Sequence, residues 1–280
     1  GIHIKFTHGF EHFFKDNLEQ YKVDTNKRAP YTLHTSLKDT IDKPPLPLDY
    51  TYKNREVYSD KHEKSIISFT KEGTIRQRID QTNDLSSTAI SLSPILGDKA
   101  AELEYVLSGL YFFEIALKED RFPLHASAIE YNDDALLFSA PSGVGKSTHT
   151  AYWQSLYGPL RVINDDKPLL HEKDGTFVAS GTPFSGKDSI SHNITRPVKA
   201  IVFLKQDSEN RVRKLSKKEA LTHLLRNTFR SGKPELADKL YTLCENIINK
   251  VPIYEASVTH SIDSAKTLHT TLYKEAQNED

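Results

Sequence analysis

Between residues 31 and about 95, short β-rich runs alternate with polar loops. Runs at 64–70 and 74–79 are joined through Glu72-Gly73, which predicts a hairpin. Pro44-Pro45-Leu46-Pro47 reads as a stiff, extended connector. The period then changes. Leu103, Val106, Leu107, Leu110, Tyr111, Phe113 and Leu117 recur at helical spacing and predict an amphipathic helix over 98–117. Beyond it, strand and helix patterns alternate. Residues 124–130 read as a strand, Asn132-Asp133 as a two-residue hairpin turn, and 135–139 as a buried strand. Symmetry about that turn pairs 129 with 136 and 127 with 138, and sets His125 opposite Ala140. A segment free of Pro and Gly, 148–157, predicts a helix that Gly158-Pro159 ends, and 160–163 is a short strand running into Asn164-Asp165-Asp166. Further on come a strand at 199–204, a capping box at Ser216-Lys217-Lys218-Glu219 opening a helix through Phe229, and a helix from Pro234. A strand at 251–254 and a helix over 262–275 complete the pattern. These patterns predict a smaller β-rich α+β region over 1–118, a module for gripping a substrate or partner, and an α/β domain over 119–280.

Composition narrows the class. A chain of 280 residues with 37% hydrophobic content holds one large domain or two small ones. Its formal net charge of −1 offers no bulk attraction to nucleic acid or to an anionic membrane. The one basic cluster, Arg211-Val212-Arg213-Lys214 with Lys217-Lys218, reads as a solvated face. The longest apolar stretch, 105–117, is interrupted by Ser108, Gly109 and Glu114 and is too short to span a bilayer. No leader pattern opens the chain, and Cys244 is the single cysteine; together these lead us to expect a cytoplasmic protein.

The chemistry concentrates around the hairpin predicted at Asn132-Asp133 and the chain that follows it. Ala140-Pro141-Ser142-Gly143-Val144-Gly145-Lys146-Ser147-Thr148 lies between a strand and a helix, the context a phosphate-binding loop requires. Glycines let successive N–H groups turn inward, and the helix N-terminus adds its positive end. Ser142, Gly143, Val144, Gly145, Lys146, Ser147 and Thr148 are therefore expected to bind a nucleotide, with Lys146 on the β- and γ-phosphates and the Ser147 hydroxyl on Mg²⁺. Ala140 stands where the pattern opens with glycine, so either this position is not left-handed or the loop differs slightly. His125, at the mouth of the loop by register, is either a core histidine or part of the site. Asp165 and Asp166 end a strand beside the loop, where open α/β sheets bind ligands. Neighbours on an extended backbone point to opposite sides, so one can meet the metal and the other an incoming hydroxyl. Lys187, closing Gly181-Thr182-Pro183-Phe184-Ser185-Gly186-Lys187, is a cation placed to stabilise a transferring phosphoryl group. Arg226 and Arg230, one turn apart, can grip an anion or simply face solvent. His8 and His12, one helical turn apart with Glu11 between them, have metal-chelating spacing, but no third or fourth ligand is evident in the sequence.

Leu124-His125-Ala126-Ser127, the loop from Ser139 to Thr148, and Ile163-Asn164-Asp165-Asp166 together resemble the HPr kinase/phosphorylase-like proteins. That group is related in its nucleotide-binding core to ATP-dependent phosphoenolpyruvate carboxykinase. The resemblance covers about residues 120–260. It implies a P-loop-containing mixed sheet with flanking helices and ATP-dependent, Mg²⁺-dependent phosphorylation of a serine-like hydroxyl. By position it makes Asp165 the catalytic base, Asp166 the second aspartate and a metal ligand with Ser147, and His125 the support of the catalytic aspartate. The arginine-glycine signature that follows the aspartates in HPr kinases is absent, and the 181–187 loop stands in that region, so neither HPr as acceptor nor phosphorolysis is implied. The expected partner is a hydroxyl-bearing acceptor: a protein, a ribosomally made peptide or a small molecule. A homo-oligomer stays open. The competing readings are a non-catalytic ATP-binding regulatory module and a generic P-loop NTPase; retention of both aspartates beside Lys146-Ser147 argues for chemistry.

Overall fold

The computed structural model describes residues 1–10, 17–24, 27–141, 144–186 and 189–274. Two compact units divide the chain, Gly1–Ile115 and Ala116–Asp280.

In the first unit, β1 (Ile4–Thr7), β2 (Tyr31–Leu37), β3 (Leu48–Tyr52), β4 (Arg55–Ser59), β5 (Glu63–Phe69), β6 (Ile75–Thr82) and β7 (Ser87–Leu92) form a sheet in the order β1-β2-β7-β6-β5-β4-β3. It is mixed: β1, β2 and β7 run parallel, and the remaining pairs are antiparallel. The predicted hairpin is β5–β6, with Ile66 opposite Ile79. Leu107, from the helix α1 (Lys99–Lys118), joins Leu33, Ile79, Ile90 and Leu92 in one apolar core. The helix is not the clean amphipathic element its sequence suggests. Val106 and Leu110 of the expected apolar face are exposed, whereas Glu104 and Ser108 are fully buried. Glu104 explains its own burial: its carboxylate accepts from the N–H of Gly9 (2.6 Å) and of Phe10 (3.1 Å) and from the Thr35 hydroxyl.

The second unit is built on β8 (Phe122–Pro123), β9 (Ser127–Tyr131), β10 (Asp134–Ser139), β11 (Arg161–Asn164), β12 (Leu169–Lys173), β13 (Thr176–Ser180), β14 (Thr195–Gln206), β15 (Arg211–Lys214) and β16 (Ile253–Val258). The order runs β11-β9-β10-β14-β13-β12-β8, with β16 pairing β14 and β15. The predicted turn sets the β9–β10 register. Asn132 and Asp133 both take positive φ (51° and 64°), as a two-residue primed turn requires, and Ile129 faces Leu136 while Ser127 faces Phe138. Parallel pairing of β10 with β14 and of β14 with β16 brings three carboxyl ends to one edge. The antiparallel steps β10–β9 and β9–β11 bring the end of β11 to that same edge.

Period 2 along β14 then sorts the helices. Ala200, Val202 and Leu204 face a core that includes Trp153 of α2 (Lys146–Tyr157) and Leu268 of α5 (Asp263–Lys274). Phe203 points the other way, its ring 4.7 Å from His223 of α3 (Lys217–Arg226). A further helix, α4 (Pro234–Lys250), buries Leu236, Leu240, Leu243 and Ile247.

Two expectations are corrected here. The strand expected over 124–130 is broken. Leu124 to Ala126 leave the ladder because their N–H groups donate elsewhere: Leu124 to Pro168 O (3.2 Å), His125 to Asn227 O (2.7 Å) and Ala126 to Asp166 O (2.9 Å). The helix expected through Phe229 stops at Arg226, since Thr228 bridges back to Leu124. Among the described residues, no helix is long and apolar enough to cross a membrane.

Candidate functional site

The loop between β10 and α2 is entered by Ala140, which is buried and does not take positive φ; that resolves how alanine replaces glycine there. Gly145 does take it, at φ 104°, immediately before the helix starts at Lys146. A side chain at Gly145 would strain this left-handed entry, which turns the chain so that the first N–H groups of α2 open outward. Val144 N–H donates to Pro141 O (3.2 Å), closing a turn within the loop. Ser147 and Thr148 are exposed at the helix start.

His125 is the meeting point. Its Nε2 lies 2.7 Å from Lys146 Nζ and 3.1 Å from an Asp166 carboxylate oxygen. The break in the strand accounts for this placement, and the Ser139 hydroxyl pins the segment by donating to His125 O (2.8 Å). Lys167 Nζ forms an ion pair with the other Asp166 oxygen. Burial works to raise the Asp166 carboxyl, but the His125 hydrogen bond and the Lys167 charge outweigh it and hold the group well below the usual carboxylate range. Burial lowers the Lys146 ammonium from its ordinary value, against the upward pull of Asp166.

Asp165, in the bend that follows β11, has other partners. Its Oδ1 accepts the N–H of Gly186 (2.6 Å), and its own N–H donates to Ile190 O (3.1 Å). The resemblance had set His125 against the first aspartate; here the ion pair is with Asp166. Gly186 allows the close approach: a Cβ there would lie 3.2 Å from Asp165 Oδ2 and 3.3 Å from Asp166 Cβ. The acidic turn is held by Asn164, which is fully buried. Its Oδ1 accepts from the N–H of Asp166 (2.9 Å) and Lys167 (2.6 Å), while its amide faces Thr182 O (3.2 Å) and Phe184 O (3.1 Å). One side chain thus ties the acidic turn to the 181–187 loop.

The structure therefore brings His125, Lys146 and Asp166 together, with Asp165 on the adjoining side. Ser142, Gly143 and Lys187 lie outside the described residues, as do Glu11 and His12. Sequence reasoning missed Asn164, Lys167 and Gly186, and it missed the approach of Asn227 and Thr228 to His125. An Asn before paired aspartates was the only signal for the first, and it reads equally as an ordinary turn residue. Arg226 and Arg230, which flank this approach, are exposed.

The donor types suit a magnesium ion. Among the described residues, no cluster of three or more His, Cys, Asp or Glu side chains forms a protein-only cage. Magnesium is commonly held by one or two protein oxygens plus phosphates and water, and a hydroxyl with a carboxylate kept anionic, Ser147 and Asp166, is such a set.

This is an α/β protein of two mixed sheets with flanking helices, its glycine-rich strand-to-helix loop set beside paired carboxylates. A family model described as SynChlorMet cassette protein ScmC matches residues 99–259, more than half the chain, and the chain belongs to that family. No curated protein matches it. Among solved structures, the Hpr(Ser) kinase/phosphatase from Coxiella burnetii is similar at 11% identity and a TM-score of 0.32, covering 56% of this chain and 97% of that one.

Proposed function

We propose that the chain is a Mg-ATP-dependent kinase that transfers the γ-phosphate to a serine-like hydroxyl of a protein, a peptide or a small molecule. The observation that carries this reading is the convergence of Lys146 and Asp166 on His125, with Asp165 held separately by the Gly186 N–H. A module that only bound nucleotide would need the loop and its lysine but no second, separately oriented carboxylate.

In this reading Ser142 to Thr148 hold the triphosphate, and Lys146 neutralises its terminal phosphates. Ser147 and Asp166 would hold Mg²⁺, which supplies charge neutralisation across the phosphates when bound. A strongly acidic Asp166 suits that task and is a poor base. Asp165 accepts the hydroxyl proton as the acceptor oxygen attacks the γ-phosphorus and ADP leaves. His125 then positions Asp166 rather than Asp165. Lys187 keeps the phosphoryl-stabilising role expected from its sequence position, and Lys167 is a second cation for it. Most of the rate comes from in-line positioning and electrostatics.

The test is γ-labelled ATP with Mg²⁺, supplied with the small-molecule and the macromolecular fractions of cell extract separately. Label appearing in one fraction with wild type, and not with Lys146→Met, supports the kinase and names the acceptor class. Tight ATP binding with no label in either fraction contradicts it.

A further inference from the structure

The sheet of the first unit ends in an exposed edge strand. All five residues of β3, Leu48 to Tyr52, are exposed, with Tyr50 and Tyr52 at 52% and 59%. Among the described strands β3 pairs with β4 alone. A two-residue turn, Lys53-Asn54, joins the two, with Tyr52 opposite Arg55 and Tyr50 opposite Val57. The pair that closes such a turn exchanges its backbone hydrogen bonds, and the next pair along does not. Tyr52 and Tyr50 therefore bond toward β4, while the N–H and C=O of Thr51, opposite Glu56, point away from the sheet. Natural edges are blunted by lysine, by proline or by a bulge. β3 carries no lysine or proline, and its one register shift, between Leu48 and Tyr50, leaves Tyr50 to Tyr52 regular.

We propose that β3 is a self-pairing edge that joins two copies of this chain about a two-fold axis through Thr51. An axis perpendicular to the sheet sets the two β3 strands antiparallel and makes the interface self-complementary. Thr51 then exchanges both backbone hydrogen bonds with Thr51 of the second copy. In that register Tyr50 faces Tyr52 of the second copy, and Asp49 faces its Lys53. The tyrosines of both copies gather on one face of the joined sheet, and acid meets base on each side of the axis. Aromatic pairs and opposite charges directly across from one another are both favourable. Lys53 Nζ already lies beside the strand, 5.1 Å from the centre of the Tyr52 ring, and Asp49 accepts from the Ser59 hydroxyl. An axis through Tyr50 would instead set Asp49 against Thr51 and present backbone groups that β4 already occupies. Charge and backbone thus agree on one register. That complementarity favours a second copy over an unrelated extended peptide, which would have to supply acid, base and aromatics in the same order. The inference uses residues of the first unit alone and does not rest on the kinase reading.

Sedimentation equilibrium of the full chain over a concentration series tests this. Wild type should move from the mass of one chain toward that of two. Asp49→Lys and Lys53→Asp each set like charges across the axis twice, and each should weaken the dimer about tenfold, the scale of two such pairs reversed. The double variant Asp49→Lys/Lys53→Asp rebuilds both pairs and should return to within about threefold of wild type. Thr51→Pro removes the N–H on the axis but no bond to β4, so dimerisation should be lost while the far-ultraviolet circular dichroism of wild type is kept. A wild type that stays monomeric throughout overturns the self-pairing and leaves the edge to another extended chain. A dimer that neither single charge variant weakens, or that the double variant fails to restore, overturns it as well.

Discussion

A single ring nitrogen carries a contradiction that the site must resolve. His125 Nε2 lies within hydrogen-bond distance of both Lys146 Nζ and Asp166. It can accept from the ammonium or donate to the carboxylate, but not both at once. Two arrangements follow: one with Nε2 unprotonated and Lys146 folded back on it, the other with Nε2–H turned to Asp166 once Lys146 has moved to a phosphate. We predict that Mg-ATP shifts the ¹⁵N resonance of His125 Nε2 from the unprotonated to the protonated range; an unchanged resonance in the saturated protein would contradict this. A second prediction concerns Gly186. A methyl group there presses on Asp165 Oδ2, so Gly186→Ala should lower the transfer rate by about tenfold or more, the scale of a misplaced reacting group, with ATP affinity little changed. Equal rates in the two proteins would show that the Gly186 approach does not orient Asp165.

At the scale of elements, local signals were legible and long-range ones were not. The β9–β10 register follows from two turn residues that tolerate positive φ, and the start of α3 follows from a capping box that is present in full. The limits of α2 and the β5–β6 hairpin likewise depend on neighbours in the chain. The break at Leu124 to Ala126 and the early end of α3 depend on each other across about a hundred residues, through the Leu124–Thr228 bridge, and no periodicity encodes that. The part of the site nearest to sequence was the loop and the aspartate pair. Which aspartate meets His125 depends on how Asn164 and Gly186 fix the turn, and that is tertiary.

Two stability predictions belong at this scale. Glu104→Ala removes a fully buried carboxylate that accepts from the Gly9 and Phe10 N–H groups and the Thr35 hydroxyl, and should cost about 1.5–3 kcal/mol of unfolding free energy, read from denaturant midpoints; a loss within error would mean water replaces the carboxylate. In the α3 capping box, hydrogen bonds from the Ser216 hydroxyl and N–H, with Arg213 adding to them, pull the Glu219 carboxyl from 4.5 down to about 2. A depressed carboxyl stabilises the fold above its unfolded value and loses that contribution as pH falls. The stability difference between wild type and Glu219→Gln should therefore be full at pH 6 and shrink as the pH falls from about 4.5 toward 2. A difference independent of pH would show that the carboxylate charge plays no part.

At the scale of the whole molecule, every described residue of the candidate site lies within Ala116–Asp280. One sheet edge presents both the acidic turn and the glycine-rich loop. The sheet of the first unit carries exposed Leu48, Tyr50 and Tyr52 on its edge strand β3, and the site chemistry uses none of them. The central claim is that two adjacent aspartates divide the labour, Asp165 taking the proton and Asp166 holding the metal. The most direct measurement is labelled phosphate transfer by wild type and Asp165→Asn at saturating Mg-ATP, using whichever extract fraction takes up label from wild type, with ATP affinity measured alongside. Transfer should fall by roughly 10²–10⁴-fold, the usual contribution of a positioned base, while ATP affinity holds. Equal transfer by both proteins would contradict the assignment.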